Sequence, residues 1–176
     1  KGFEIRPRTN RQYKIPIAPH ILGNIREVNK RDIERDPYYQ RGDYTGDLGV
    51  EKSYEPYLRG RKGKQILLRD AHGRIKGHFE DGKYDVTPIP GRNLTLSIDA
   101  DIQAYAESLM VNKVGAVVAI QPATGEILCM VSSPTFDPRL LVGRQRGRNY
   151  KALTSNPYRP LYDRAVSATY PPGSTF

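Results

Sequence analysis

The stretch from residue 94 to residue 132 constrains the fold most, because its hydrophobic pattern predicts several elements in a fixed order. Apolar and polar residues alternate from Leu94 to Ile98, which is the period of a strand. Two further strands are predicted at 116–120 and 126–132, with a turn between them. Helical spacing relates the apolar residues that precede this hairpin, namely Ile102, Tyr105, Ala106, Leu109 and Met110. A helix followed by an antiparallel hairpin indicates an α+β fold.

The segment 88–91, Pro-Ile-Pro-Gly, interrupts the chain just before this pattern. It predicts a boundary between a first domain of residues 1–90 and a second of residues 91–176. A chain of 176 residues can form two small domains. Its 16 glycines and 14 prolines indicate many turns in both.

The first domain has a weaker pattern of short elements. Tyr13, Ile15 and Ile17 alternate with polar residues or proline, which predicts an edge strand. A short helix is predicted at 29–36 with Asn29 as its N-cap. A second helix is predicted after Asp47 as its N-cap, kinked or restarted at Pro56 and ended by Gly60. Its apolar face consists of Val50, Tyr54, Tyr57 and Leu58. A hairpin is predicted from residues 65–70 and 74–78.

The formal net charge of +9 leaves three interpretations open. The basic residues can form a solvated cationic surface, attract an anionic membrane face or polyanion, or bind nucleic acid. No zinc-finger spacing, RNA-recognition signature or basic recognition helix accompanies the charge, so nucleic acid rests on charge alone. No apolar run approaches the roughly 18 residues of a membrane-spanning helix, and the first residues do not have the apolar segment of a signal peptide.

Ser174, within Tyr-Pro-Pro-Gly-Ser-Thr-Phe at 170–176, is the main catalytic candidate. It begins the pattern Ser-x-x-Lys, whose lysine would be the residue after Phe176. In a helix this spacing puts both side chains on one face, so the amine can take the hydroxyl proton if burial lowers its pKa. The helix N-terminus would also favour developing negative charge. The alternative is an ordinary turn and N-cap.

The other candidates favour structural roles. Asp99 or Asp101 is predicted to cap the second-domain helix rather than form a catalytic pair. His72 and His78 lack a helical metal spacing and are predicted in solvated loops. Cys129, the only cysteine, is predicted as a buried thiol within a strand. Tyr54 and Tyr57 are predicted in the core rather than in a ligand cage.

From Leu94 onward the sequence resembles class B penicillin-binding proteins. The matching blocks occur in the family's order and at its spacing, and they lie at 94–99, 102–103, 115–119, 124–128, 133–138, 163–165 and 170–176. The upstream half resembles the pedestal, or dimerisation, domain of the elongation-type members. Its matching blocks lie at 11–13, 20–25, 46–54, 58–60 and 70–74. The resemblance covers nearly the whole chain.

This resemblance implies a strand-rich pedestal domain followed by the start of a domain like that of serine β-lactamases. It implies a D,D-transpeptidase in which Ser174 attacks the penultimate D-alanine carbonyl of a peptidoglycan stem peptide. β-Lactams would acylate the same serine. Elongation-machinery membrane proteins are implied as partners, and the periplasmic face of the cell inner membrane as the location. No cofactor and no metal are expected.

The chain departs from the family's pattern in several places. The membrane anchor, an Arg-Gly-x-Ile-x-Asp-Arg-x-Gly stretch, the motif lysine and the Ser-Asp-Asn and Lys-Thr-Gly motifs are not in this sequence. Cys129 stands where the family usually has alanine. We therefore expect the 176-residue polypeptide alone to be inactive. We also expect its hairpin to leave an unpaired edge and an uncovered apolar face.

Two function classes besides the enzyme remain open at this point. The pedestal could act as an interaction module that binds elongation-machinery partners or the cell wall without catalysis. A nucleic-acid binder is supported only by the net charge.

Overall fold

The computed structural model describes residues 11–171, and its contacts divide the chain into two compact units. Unit 1 consists of Lys1–Ser53 together with Leu96–Phe176, and unit 2 is Tyr54–Thr95. The two parts of unit 1 are therefore distant in sequence but packed together. The predicted boundary at residues 90 and 91 concerns sequence domains and stays a prediction.

Helices and short strands alternate along both units, so the predicted α+β class is confirmed. The elements of unit 1 before the insertion of unit 2 are α1 (Pro19–Leu22), β1 (Ile25–Glu27), α2 (Lys30–Arg35), β2 (Tyr44–Gly46) and α3 (Gly49–Ser53). Unit 2 contains α4 (Glu55–Leu58), β3 (Leu67–Arg69), β4 (Ile75–His78) and a 3₁₀ turn (Phe79–Gly82). Unit 1 continues with α5 (Ala100–Leu109), β5 (Gly115–Ile120), β6 (Ile127–Ser133), a 3₁₀ turn (Pro138–Leu141), α6 (Arg146–Thr154) and α7 (Arg164–Ser167).

The first strand lies further along the chain than the predicted edge strand. Residues 11–18 form no strand, so the edge strand through Tyr13, Ile15 and Ile17 is wrong. Pro16 and Pro19 provide no N–H for a ladder, and Pro19 instead begins α1, where a missing N–H costs nothing. The strands that do form are β1 and β2, which pair antiparallel.

The predicted N-cap of α2 is confirmed. The Asn29 side chain accepts a hydrogen bond from the backbone of Asp32, and the Asp32 carboxylate accepts one from the backbone of Asn29. Arg26 on β1 donates two hydrogen bonds to the same carboxylate, at 2.6 and 2.9 Å. Together the Arg26 guanidinium and the Asn29 amide lower the pKa of Asp32 to about 2.

The helix predicted after Asp47 is split in two, as its internal proline suggested. α3 ends at Ser53 and α4 begins at Glu55, with Pro56 in its first turn. Gly60 follows α4 with φ +68°, which suits the helix end. Asp47 lies two residues before α3, where its carboxylate accepts a hydrogen bond from Asn24 at 3.1 Å and lies 3.2 Å from Arg26.

Unit 2 is built around the predicted hairpin, in which β3 pairs antiparallel with β4. The Asp85 carboxylate ties the hairpin to the following segment, because it accepts a hydrogen bond from the Ile66 amide and lies 2.6 Å from the His78 ring. The Ile66 amide is the main cause that lowers the pKa of Asp85. None of residues 54–95, all of which the structure describes, is fully buried. Tyr54 and Tyr57 are exposed, so their prediction as core residues is wrong.

The core of unit 1 lies between α5 and the hairpin of β5 and β6. The predicted hairpin is confirmed, and so is the buried thiol of Cys129 on β6. Cys129, Val131 and Ala106 form the buried apolar cluster, with Met110 and Ala119 packed against it. Among the described residues β5 pairs only with β6, and it exposes Val118 and Ile120, which is the uncovered apolar face that the sequence predicted.

The predicted strand before α5 is wrong, since residues 94–98 form no strand and the chain bends at Ser97. Only isolated hydrogen bonds join it to β6, from the Ser97 hydroxyl to Ile127 and from the Asp99 amide to Leu128. Asp99 is the N-cap of α5, as predicted, and accepts hydrogen bonds from the amides of Asp101 and Ile102.

The predicted apolar face of α5 is only partly correct, since Ala106 and Met110 lie at the core as predicted but the other three residues do not. Ile102, Tyr105 and Leu109 are exposed, whereas Gln103 is completely buried beside Ala106. The Gln103 side chain donates to the Met130 carbonyl at 3.1 Å and accepts from the Met130 amide at 2.9 Å. This double contact makes burial of the amide favourable, because each polar group of the pair is satisfied.

Two further helices lie between residues 134 and 167. α6 falls in a basic stretch of the sequence, and α7 follows it. The sequence of α6 has no apolar periodicity, and specific contacts hold the helix instead. One is the hydrogen bond from Asn149 to the Leu140 carbonyl at 2.8 Å, and another places the Arg146 guanidinium over the Tyr150 ring. No helix within residues 11–171 has the length and apolarity that crossing a bilayer requires.

We expect Gln103→Leu to lower the free energy of unfolding by about 2–4 kcal/mol, since it keeps the volume but leaves the Met130 amide and carbonyl without partners. Gln121→Leu, at an exposed turn position, is the matched control and should change it by less than about 0.5 kcal/mol. Urea unfolding followed by circular dichroism measures both. Equal losses in the two variants would contradict the role given to Gln103.

Candidate active site

The predicted nucleophile Ser174 lies outside the described residues, so the structure defines the path of the chain toward it. We call residues 156–171 the approach segment. It contains α7 and the loop before it, and it ends at Pro171, just before the Pro-Gly-Ser sequence. The geometry of this segment decides how firmly the start of the site is held.

Asp163 and Arg164 organise the approach segment internally. The Asp163 carboxylate caps α7 by accepting hydrogen bonds from the amides of Ala165 and Val166. The Arg164 guanidinium folds back on the preceding loop and donates to the carbonyls of Tyr158, Arg159 and Tyr162, at 2.6, 3.2 and 3.3 Å. The Arg164 side chain thus closes the loop by binding the backbone carbonyls of the loop.

Ser132 joins the approach segment to the sheet. Its buried hydroxyl donates to the Tyr162 carbonyl at 3.0 Å and accepts from the Arg164 amide at 2.9 Å. The next residue, Ser133, lies with its hydroxyl 3.0 Å from the Met110 carbonyl and 2.8 Å from that of Lys113. The end of β6 therefore fixes both the approach segment and the turn between α5 and β5.

His20 on α1 contacts the approach segment from the other side. Its Nε2 lies 2.8 Å from the carbonyl of the buried Pro160, and its ring meets the Phe136 ring edge-on at 5.4 Å. Burial lowers the pKa of the His20 imidazole below its usual 6.5, although the Pro160 carbonyl partly opposes this. His20 is therefore neutral at pH 7 and donates through Nε2, because a carbonyl only accepts.

The same short helix is anchored on α5. The Ala18 amide donates to the Glu107 carboxylate at 2.7 Å, and Gln103 donates to the same oxygen at 2.8 Å. Gln103 in turn holds Met130 on β6. A continuous chain of hydrogen bonds therefore runs from α1 through α5 to the sheet that carries the approach segment.

A second contact joins the two sequence-distant parts of unit 1. Arg146 on α6 donates to the Ile25 carbonyl at 3.0 Å and to the Asp47 carboxylate at 3.4 Å. A small cleft of about 200 Å³ lies beside this arginine, lined by Ile25, Glu27, Tyr44, Leu141, Val142, Gly143 and Arg146. The cleft is smaller than an ordinary small-molecule pocket, and its arginine joins the two parts of unit 1.

The other sequence candidates are not brought together into a site. Asp99 caps α5, Cys129 is buried in the core, and His78 pairs with Asp85 within unit 2. His72 lies exposed in the turn between β3 and β4. Within residues 11–171 no three histidine, cysteine or acidic side chains converge to hold a metal ion.

The sequence predicted no role for three residues of this arrangement, namely His20, Gln103 and Ser132. A signal exists for Gln103, since it stands three residues before Ala106 and seven before Met110, on the face that proves to be buried. His20 binds a partner 140 residues away in sequence and Ser132 one that is 30 residues away, and spacing alone gives no signal for such contacts.

Two protein families match the chain in succession. Residues 1–96 match the Penicillin-binding Protein dimerisation domain, and residues 115–176 match the Penicillin binding protein transpeptidase domain. Their order is the predicted one, and the resemblance drawn from the sequence blocks is confirmed. All of α5 falls between the two matched ranges.

Relatives and solved structures match nearly the whole chain. It is 39% identical over 178 residues to Peptidoglycan D,D-transpeptidase MrdA of Acinetobacter baumannii, covering 99% of this chain and 26% of that protein. The penicillin-binding protein PBP2 of Helicobacter pylori, solved in complex with MreC, is 30% identical with a TM-score of 0.81, covering 96% of this chain and 31% of that one. Pseudomonas aeruginosa PBP2 in complex with WCK 5153 is 35% identical with a TM-score of 0.70, covering 89% and 31%. The chain spans about a quarter of the length of the curated relatives it matches.

We expect the buried neutral His20 to make stability depend on pH. Its folded-state pKa lies below 6.5, so the unfolded chain binds more protons as the pH falls through 6.5, and the free energy of unfolding decreases there. The slope from this group is at most about 1.4 kcal/mol per pH unit. Urea unfolding between pH 7.5 and 5 should show a weaker pH dependence in His20→Gln than in the wild type. His72→Gln is the control and should retain the wild-type slope; a wild-type slope in His20→Gln would contradict the assignment.

Proposed function

The chain belongs to the penicillin-binding proteins that join a dimerisation domain to a transpeptidase domain, and we propose that the protein is a peptidoglycan D,D-transpeptidase of cell-wall elongation. The observation that carries this proposal is the consecutive match of both domains, with Ser174 inside the transpeptidase match. The proposed cellular location of the protein is the periplasmic face of the cell inner membrane. The net charge of +9 suits a location beside an anionic lipid surface.

Ser174 is the proposed nucleophile. Its Oγ attacks the carbonyl of the penultimate D-alanine, the peptide C–N bond breaks, and the terminal D-alanine leaves with the proton that the hydroxyl gave up. An amine of a second stem peptide then attacks the ester carbonyl, the ester C–O bond breaks as the new peptide bond forms, and a proton of that amine passes to Oγ. The base in this motif is the lysine three residues after the serine.

The described structure supports this chemistry through rigidity at the start of the site. Acyl transfer needs the hydroxyl held close to its target carbonyl, because misplacement by about 1 Å can cost a hundredfold in rate. The approach segment has the necessary fixation: Ser132 binds it from the sheet, His20 binds it from α1, and Arg164 closes its loop. β-Lactams fit the same proposal, since opening their ring amide acylates the serine without releasing a separate leaving group.

We expect the complete gene product to be labelled stoichiometrically by a fluorescent penicillin, with the label on the peptide that contains Ser174. Ser174→Ala should lower the labelling rate by at least about a thousandfold, because the substitution removes the hydroxyl that attacks the penicillin. Ser155→Ala, at the exposed end of α6, is the matched control. Gel fluorescence and peptide mass spectrometry measure both. Full labelling of Ser174→Ala would exclude Ser174 as the nucleophile.

A second, compatible function is binding of a partner through unit 2. The H. pylori structure in complex with MreC is similar over 96% of this chain, which supports an MreC-type partner here. Unit 2 suits partner binding, since it buries none of its residues fully and exposes several large apolar side chains, including Leu68, Ile75, Phe79, Tyr84, Val86 and Ile89.

Unit 2 can be removed without cutting unit 1. Its two ends lie side by side, because the Arg92 amide donates to the Tyr57 carbonyl at 2.8 Å and Gly91 is packed directly on the backbone of Leu58. A cut at residue 90 would instead separate residues 11–53 from the contacts that they make with α5 and with Pro160. The excision therefore joins Leu58 to Gly91 through a short glycine-serine linker.

We expect this excision to weaken binding of the organism's own MreC-type protein by at least about tenfold while penicillin labelling of Ser174 continues. The reason is that the exposed apolar surface is removed and unit 1 is kept whole. Biolayer interferometry measures the binding. Unchanged affinity in the excised protein would show that unit 2 is not the docking surface.

A further inference from the structure

We propose that His20 is a positioning residue for acyl transfer at Ser174, because its imidazole holds the Pro160 carbonyl and thereby fixes the approach segment. This inference rests on the proposed function and names a residue outside the transpeptidase match that supports the same reaction. The first 53 residues would then contribute directly to the order of the active site.

The contact itself is partly buried and directional. Nε2 lies 2.8 Å from the Pro160 oxygen, and the ring is held from the side by Phe136, with an angle of 81° between the two ring planes. Proline has no N–H, so the carbonyl is the only backbone polar group of this buried residue. A buried carbonyl needs a donor, and His20 supplies it from α1.

The loop around Pro160 depends on such external contacts. Arg159, directly before it, has a left-handed backbone with φ +48°, which a non-glycine residue adopts only when its surroundings hold it there. The Arg164 guanidinium fixes the loop from within, and Ser132 fixes Tyr162 from the sheet. His20 holds the loop from α1, so loss of its hydrogen bond leaves the loop attached through Arg164 and Ser132 and more mobile between them.

α1 can act as a fixed point because it is docked. A helix of four residues has no stability of its own. Its position follows from the Ala18 amide on Glu107, which also binds Gln103, and Gln103 holds both backbone groups of Met130. His20 therefore links the approach segment back to β6 by a second route, through α1 and α5.

Burial favours a neutral donor at this position. The charged groups that face His20 are Glu107 from α5 and Asp163 and Arg164 from the approach segment. The two carboxylates favour an imidazolium and Arg164 opposes it, while burial favours the neutral ring. A glutamine amide, which places an N–H where Nε2 stands, can replace the function, whereas phenylalanine keeps the ring packing and removes the donor.

The test uses the complete gene product and two measurements. The first is the second-order rate constant of acylation by a fluorescent penicillin. We expect His20→Phe to lower it about tenfold, since the loop loses one of its attachments. His20→Gln should stay within about threefold of the wild type by supplying the donor, and His72→Phe, at an exposed turn, should equal the wild type.

The second measurement is amide hydrogen exchange without penicillin. We expect faster exchange in the approach segment of His20→Phe, no change in residues 115–133, and wild-type exchange in His20→Gln. Wild-type acylation or wild-type exchange in His20→Phe overturns the proposal. So does slower acylation with equally faster exchange in both regions, because that result shows general destabilisation. A wild type that no penicillin labels overturns the proposed function itself.

Discussion

The rest of unit 1 depends on the hydrogen bonds between the Gln103 side chain and the backbone of Met130. A buried amide that satisfies both groups of one strand residue fixes the helix in position and rotation against the strand, which apolar packing alone does less specifically. The same side chain binds Glu107, and Glu107 binds Ala18. One buried polar residue thus sets the position of α5, of β6 and of α1.

The consequence is that the dimerisation and transpeptidase matches do not correspond to two separate bodies in this structure. Residues 11–53 lie within the dimerisation match, yet they pack with residues 96–171 in unit 1. Only the inserted residues 54–95 form a unit of their own. The early segment therefore helps to build the approach to Ser174, while unit 2 is available for a partner.

Sequence reasoning succeeded where a local signal decides the structure. Asn29 and Asp99 cap helices because their side chains bond amides two or three residues away, and the hairpin of β5 and β6 follows from its alternation. It failed where distant contacts decide. Gln103 is buried in place of Ile102 because Met130 satisfies it, and α6 forms in a polar stretch through contacts of Arg146 and Asn149. His20 and Pro160 are far apart in sequence, so their contact leaves no local pattern.

The most direct test of the claim that α1 is docked on the rest of unit 1 is hydrogen exchange of the α1 amides in the wild-type protein. The amides of Ala18, Ile21, Leu22 and Gly23 are all hydrogen-bonded, but a four-residue helix protects nothing unless it is docked. The account predicts that peptides covering residues 17–24 exchange as slowly as those covering β6. Exchange of residues 17–24 within seconds, while β6 stays protected, would contradict it.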